Sequence, residues 1–130
     1  MRLASTPRDV EAAQQLRFRV FNLERSAGLE KSYLTGRDED HFDPVCVHLL
    51  VEHGGEVVGT YRMQTGKNAA LHRGYYSARE FDFEPFETLR GELLEVGRAC
   101  VARPHRNLVV LGMLWRGIAA YAREHGCRYL

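Results

Sequence analysis

The chain has 130 residues, 45% of them hydrophobic and 27% charged, a composition that excludes bulk disorder and fits one soluble domain with a single core. No apolar run approaches the ~20 residues of a helical membrane span, and the N-terminal stretch lacks the apolar segment of a secretory signal. A net charge of +1 argues against nucleic acid as the main partner, and Cys46, Cys100 and Cys127, odd in number and set among apolar residues, read as free thiols of a reducing cytoplasm with no metal or disulfide spacing.

In chain order, Arg2–Ser5 is short and extended. Thr6-Pro7-Arg8-Asp9 carries the marks of a helix start, with Thr6 as N-cap, Pro7 at the first helical position and an acid in the first turn. Val10, Ala13, Leu16, Val20 and Leu23 recur at helical spacing and predict a helix to about Glu24. From Arg25 to Asp43 no period holds, and the stretch reads as a polar loop ending in the acidic run Arg37-Asp38-Glu39-Asp40-His41-Phe42-Asp43-Pro44.

Val45–Glu52 and Glu56–Gln64 read as two strands joined at His53-Gly54-Gly55, a hairpin signal. A loop is expected through Lys67 and Asn68, then a short helix over Glu84–Arg90. Leu93–Ala102 reads as a buried strand in which Glu95 and Arg98 stand out. After the loop Arg103–Asn107, Leu108–Arg123 is apolar nearly all round, which predicts a well-buried helix. Gly126 suits its C-cap, and Cys127–Leu130 reads as the start of a fifth strand. The expected order is β–α–loop–β–β–(α)–β–α–β in one domain over residues 1–130. A last strand with one free edge predicts either a homodimer through that edge or a longer polypeptide, and a 130-residue piece of marginal stability.

The pieces LRFRVF, DHFDP, CVHLLV, VVGTYRM, GYYSAREFD, LLEVGRACV, PHRN, Met113-Leu114-Trp115 and HGCRYL, in that order, resemble the GNAT-fold ornithine N-acyltransferases of ornithine-lipid synthesis, also known as hemolysin-like GNAT proteins. A sparser set, Arg17 with Phe21, Asp40 with Asp43, Arg62, and Glu95 with Arg98, is similar in pattern to acyl-homoserine-lactone synthases and N-acyl amino acid synthases. The resemblance implies an α/β (α+β) fold: a GNAT-type mixed sheet flanked by helices, here truncated at the fifth strand. It implies transfer of a (3-hydroxy)fatty acyl group from phosphopantetheine to the α-amine of ornithine or a similar amino acid, with no resident cofactor. A lipid-like product further implies peripheral contact with a membrane. The rival readings are the two related synthase activities and a truncated, non-catalytic module that binds acyl carrier protein.

Two features bear on the donor. The stretch from Arg103 to Leu111 has no glycines of the kind that wrap the pyrophosphate of coenzyme A in common GNAT enzymes, which favours acyl carrier protein as donor over coenzyme A. From Arg98 to Leu130 six arginines and Glu124 sum to +5, so residues 1–97 sum to −4, and the basic third suits a phosphate-bearing or acidic partner.

The resemblance places the pantetheine arm beside Leu93–Ala102, with Val96, Cys100, Val101, Arg103, Arg106 and Asn107 as donor-binding residues and Arg106 as the phosphate contact at a helix N-terminus. A backbone N–H near Val96 or Gly97 could donate to the thioester oxyanion, a contact worth ~10²–10³ in rate. Gly97 reads equally as room for a ligand or as a bulge or packing glycine. Glu95 is the candidate base for the ammonium group, the alternative being an ion pair with Arg17 or Arg62. Arg98, three residues on, completes the catalytic candidates and points to the opposite face unless Gly97 bulges the strand. Arg17 within the helix spacing needs a carboxylate and is expected to organise the acidic loop over the acceptor site. Phe21 lies one turn on, Arg62 joins the same set, and Asp40 and Asp43 are candidates for a cationic acceptor, with a solvated turn as the alternative. No Ser-His-Asp set or nucleophilic cysteine context stands out, which favours direct transfer.

Overall fold

The computed structural model describes residues 1–130. Strands β1 (Arg2–Leu3), β2 (Val47–His53), β3 (Glu56–Thr65) and β4 (Leu94–Val101) form one sheet in that order, each neighbouring pair antiparallel. The only parallel element is a single bridge between Leu93 and Tyr129. Cys127–Leu130 therefore meets the start of β4, through Leu94 N–H to Tyr129 C=O (2.9 Å), but forms no extended fifth strand.

Helix α1 (Pro7–Phe18) starts as its sequence dictates. Asp9 N–H donates to Thr6 Oγ1 (3.2 Å) and Asp9 Oδ2 accepts from Thr6 N–H (3.0 Å), a reciprocal capping box with Pro7 just inside. The helix continues to Glu24, but over Arg19–Glu24 it widens into a π-helix. The β2–β3 hairpin turns at Gly54 (φ +60°) and Gly55 (φ +84°), two left-handed positions that glycine occupies without penalty.

Five elements differ from the sequence reading. The polar loop contains α2 (Ser32–Thr35), and a 3₁₀ turn over Asp43–Val45 delays the start of β2 to Val47. Gly66–Leu71 is a helix, α3, because Thr65 ends β3 as an N-cap, its hydroxyl accepting from Asn68 N–H (3.2 Å). Glu84–Glu92 winds as a 3₁₀ helix. Helix α4 (Leu108–Glu124) is buried only along the stripe Val110, Leu114, Gly117 and Ile118. It packs on one sheet face and nothing lies over its outer side, so Leu108, Val109 and Trp115 are exposed.

The sheet lies between two apolar clusters. Ala13 and Leu16 of α1 and Val20 of its π-helical continuation pack on Leu50, Val57 and Cys100 from one face. Val110, Leu114 and Ile118 of α4 pack on Leu49, Val51, Val58, Met63 and Leu94 from the other. No helix is long and apolar enough to cross a membrane.

Candidate active site

On the α1 face, three arginines from three elements converge on three aspartates of the loop before β2. Arg17 of α1 bonds Asp43 Oδ2 through Nη2 (2.5 Å) and Asp38 Oδ1 through Nε (3.1 Å), and its guanidinium also donates to the Asp38 carbonyl. Arg62 of β3 bonds Asp40 Oδ1 (2.6 Å) and Asp43 Oδ1 (2.9 Å) through Nη1. Arg98 of β4 reaches Asp40 Oδ2 at 3.3 Å and Asp38 Oδ2 at 3.7 Å. Gln14, one turn before Arg17, donates to Asp43 Oδ2 (2.9 Å), and His48 Nε2 meets the Asp43 carbonyl oxygen (3.1 Å).

Side-chain exposures of 1% for Arg17 and 2% for Asp38 and Asp43 make this a buried network, so its charges must compensate one another within it. Burial pushes the Asp40 carboxyl up, but the Arg62 hydrogen bond and charge, the Phe42 amide and the Arg98 charge outweigh it and hold it at about 2. For Asp43 burial likewise acts upward and is outweighed by Arg17, Gln14 and Arg62, so the group stays below the usual carboxylate range. Burial lowers His48, which the Asp43 carbonyl only partly offsets.

Arg98 enters this network because β4 is irregular. Gly97 faces Arg62 and Cys100 faces Thr60, so Arg98 and Ala99 together stand opposite Tyr61. The extra residue turns the Arg98 side chain to the face of Glu95 and Cys100. The bulge is made by Arg98 itself, at φ +50°, while Gly97 keeps an ordinary φ.

Beside the network a pocket of 170 Å³ opens along β4, with Glu95, Val96, Gly97 and Arg98 on one wall and Cys46, Arg62, Gln64, Tyr76 and Ser77 among the others. Glu95 is its one carboxylate. It pairs with neither Arg17 nor Arg62 but accepts from Tyr76 N–H (3.0 Å), Ser77 N–H (2.6 Å) and the Ser77 hydroxyl (2.6 Å). Those donors sit on the 3₁₀ turn Ser77–Arg79 and its N-cap Tyr76, so the carboxylate is fixed in direction and faces the pocket. A Cβ built on Gly97 meets no atom within 4 Å, whereas one on Gly66 would lie 2.1 Å from the Arg90 carbonyl oxygen. Packing therefore requires a glycine at 66 and leaves open space at 97. Burial pushes the Cys46 and Cys100 thiols up to about 12, which leaves both protonated and weakly nucleophilic at neutral pH.

A second, mostly apolar groove of 470 Å³ runs past the end of β4, lined by Phe21, Tyr61, Cys100, Val101, Arg106 and Leu111 among others. Phe21 thus lies on this groove, away from Arg17 and the aspartates, because the π-turns after Phe18 alter the angular phase of the helix. Arg106 bonds the Val101 carbonyl oxygen (3.0 Å) and Glu24 (2.5 Å) across the groove mouth. Asn107 accepts from Val109 and Val110 N–H (both 3.0 Å) as the N-cap of α4. Arg103 is exposed on the preceding turn and Val96 lines the first pocket.

Sequence reasoning missed Gln14, Tyr76, Ser77, Cys46 and Gln64. Gln14 carried a readable signal, a polar residue three before Arg17 on the buried helix face. The contact between Ser77 and Glu95 spans 18 residues and carries none.

An acetyltransferase (GNAT) domain profile matches residues 16–116. The chain belongs to the GNAT family. It is 40% identical over 136 residues to the L-ornithine N(alpha)-acyltransferase of Brucella abortus (strain 2308), covering 96% of this chain and 48% of that protein. The corresponding protein of Agrobacterium fabrum (strain C58) is 37% identical over 134 residues, at 95% and 46% coverage. This GNAT chain spans about half the length of the curated relatives it matches. Among solved structures, the AHL synthase LasI superposes with a TM-score of 0.66 at 15% identity, over 98% of this chain and 67% of that one. The CoA-dependent acyl-homoserine lactone synthase BjaI, solved with SAM and isopentyl-CoA, gives 0.66 at 24% identity, over 93% and 57%. At these identities the likeness is one of GNAT fold.

Proposed function

We propose that this GNAT domain carries the catalytic strand of an N-acyltransferase that moves a fatty acyl group from a phosphopantetheine thioester to the α-amine of ornithine or a similar amino acid, the first step of ornithine-lipid synthesis. The amine nitrogen attacks the thioester carbonyl, the C–S bond breaks and the thiol leaves. The observation that carries this reading is Glu95, the one carboxylate of a pocket that opens beside Gly97 on β4. Three neutral donors orient Glu95 towards the pocket, where it takes the ammonium proton directly or through a water. The open space at Gly97 admits the thioester close to the strand, with a backbone N–H near Val96 or Gly97 as oxyanion donor. Protonated thiols at Cys46 and Cys100 favour direct attack over a covalent acyl-enzyme.

The apolar groove past β4 suits the pantetheine arm, with Phe21, Cys100 and Val101 along it and Arg106 at its mouth. In this reading the donor is acyl carrier protein, since the loop before α4 lacks the glycines that would wrap a pyrophosphate. Arg17, Arg62, Asp40 and Asp43 hold the acceptor side of the pocket in shape. Glu95→Gln should lower kcat by ~10²–10⁴ with the circular dichroism spectrum unchanged. An unchanged kcat, or equal turnover of acyl-coenzyme A and acyl carrier protein, would overturn the base assignment and the donor assignment respectively.

A further inference from the structure

We infer that Arg98 anchors the acceptor by its carboxylate, so that the site selects amines that carry an adjacent anionic group. The inference rests on the transferase reading above and names what the pocket recognises. Three observations converge on it.

The first is backbone strain. Arg98 adopts φ +50°, a left-handed conformation that L side chains rarely occupy, although a glycine stands immediately before it. A glycine or asparagine at 98 would make the bulge at lower cost, so the strain is tolerated for what the side chain does.

The second is spare bonding capacity. A guanidinium has five N–H donors, and Arg98 makes one hydrogen bond, at 3.3 Å to Asp40. Arg17 and Arg62 are tightly paired at 2.5–2.9 Å and only 1% and 6% exposed, whereas the Arg98 side chain is 22% exposed and lines the pocket. Asp38 and Asp40 hold the Arg98 guanidinium from behind and leave its other donors free.

The third is charge pattern. Glu95 is the pocket's one anion and has no cationic partner, since all its hydrogen bonds come from neutral donors. Across the same pocket Arg98 is the loosest cation. An unpaired anion and an under-used cation in one cleft complement an amino-acid zwitterion, its ammonium towards Glu95 and its carboxylate towards Arg98. The aspartates behind are already matched by Arg17 and Arg62, so a cationic side chain finds no free carboxylate there.

The test compares ornithine with putrescine and ornithine methyl ester, measuring both acylation and donor-free binding by calorimetry on the 130-residue chain. The wild type should prefer ornithine over either analogue by about 10- to 100-fold in kcat/KM and in affinity, the range of a charge-assisted hydrogen bond. Arg98→Ala should raise the KM for ornithine by a similar factor and leave the analogues unchanged, so that discrimination collapses, and Arg98→Lys should restore part of it. Arg98→Gly, which removes the side chain without the left-handed strain of Arg98→Ala, should lose discrimination to the same extent, whereas a merely structural arginine would lower turnover of all three amines alike. Equal acylation or binding of ornithine and its ester by the wild type, or a parallel loss of all three amines in Arg98→Ala, would overturn the anchor. Carboxylate-dependent binding of ornithine without acylation of any amine would instead sink the transferase reading and leave the anchor standing.

Discussion

The arginine–aspartate network under α1 and the pocket along β4 share Arg62 and Arg98, yet they differ in one respect. In the network the aspartates and their arginines are paired with one another and shut away from solvent, Arg17 and Asp43 to within 1–2%. In the pocket Glu95 has no cation, Arg98 has donors to spare and Gly97 leaves open space. The same side-chain types therefore build a support where opposite charges are paired and buried, even with Arg17 Nη1 and Asp38 Oδ2 left without hydrogen-bond partners, and a reactive surface where charges are unpaired and open. Charge pairing and burial, which no residue type reveals by itself, separate the two.

The comparison breaks first at Arg17. Removing the guanidinium leaves the buried carboxylates of Asp38 and Asp43 short of a cation, a loss of the kind that costs ~3–5 kcal/mol. Arg17→Ala should lower the denaturant midpoint accordingly. A loss below about 1 kcal/mol would mean that water reaches the cluster and that it is no more closed than the pocket.

Acid should find the same network next. Asp40 is held at about 2 against an ordinary 3.8, and Asp43 is also depressed. On acidification the unfolded chain takes up these protons first, so the stability they contribute is present above pH 3.8 and is lost as pH falls through the folded value, about 2 kcal/mol for Asp40. His48 acts in the same direction but earlier. Its folded pKa is lowered from 6.5, so below pH 6.5 the unfolded state binds the proton and stability begins to fall. Thermal melts from pH 8 to 3 should show a decline that starts near neutrality and steepens below pH 4. A profile flat between pH 7 and 5 would show that His48 is not held neutral by the fold.

How much of this was legible depends on sequence separation. The cap at Thr6, the hairpin at Gly54-Gly55 and the strand around Glu95 follow from local rules, because each rests on residues within a few positions. Arg17, Asp40, Asp43, Arg62 and Arg98 could be singled out as charges in apolar settings or by family pattern, and the need of a helix-buried Arg17 for a carboxylate of the acidic loop could be read too, but not the pairing of Arg62 and Arg98 with that loop, which joins residues 19 to 60 apart. The burial of α4 was overestimated because apolar content shows what a helix can bury, not what covers it. The short helix α3 was missed because Thr65 belongs at once to a strand pattern and to a cap. A bulge is one of two equal readings of Gly97 in the sequence; the bulge lies one residue on, at Arg98, and Gly97 shows the open space of the other reading.

Gly97 sharpens the comparison with the smallest change of all. No protein atom lies within 4 Å of the position its Cβ would take, and its φ is not left-handed, so Gly97→Ala meets neither a clash nor backbone strain. Its folding stability should stay within about 0.5 kcal/mol of the wild type, or rise slightly as the unfolded chain loses freedom. If the open space belongs to an acyl thioester lying against β4, the added methyl falls where the ligand must approach. Turnover should then drop by at least about tenfold, since misplacement by about 1 Å already costs on the order of 100-fold. A variant that melts as the wild type but turns over slowly would mark the pocket wall as built for a ligand. Full activity in Gly97→Ala would mean that the thioester lies elsewhere, and the oxyanion contact would have to be sought away from this stretch of β4.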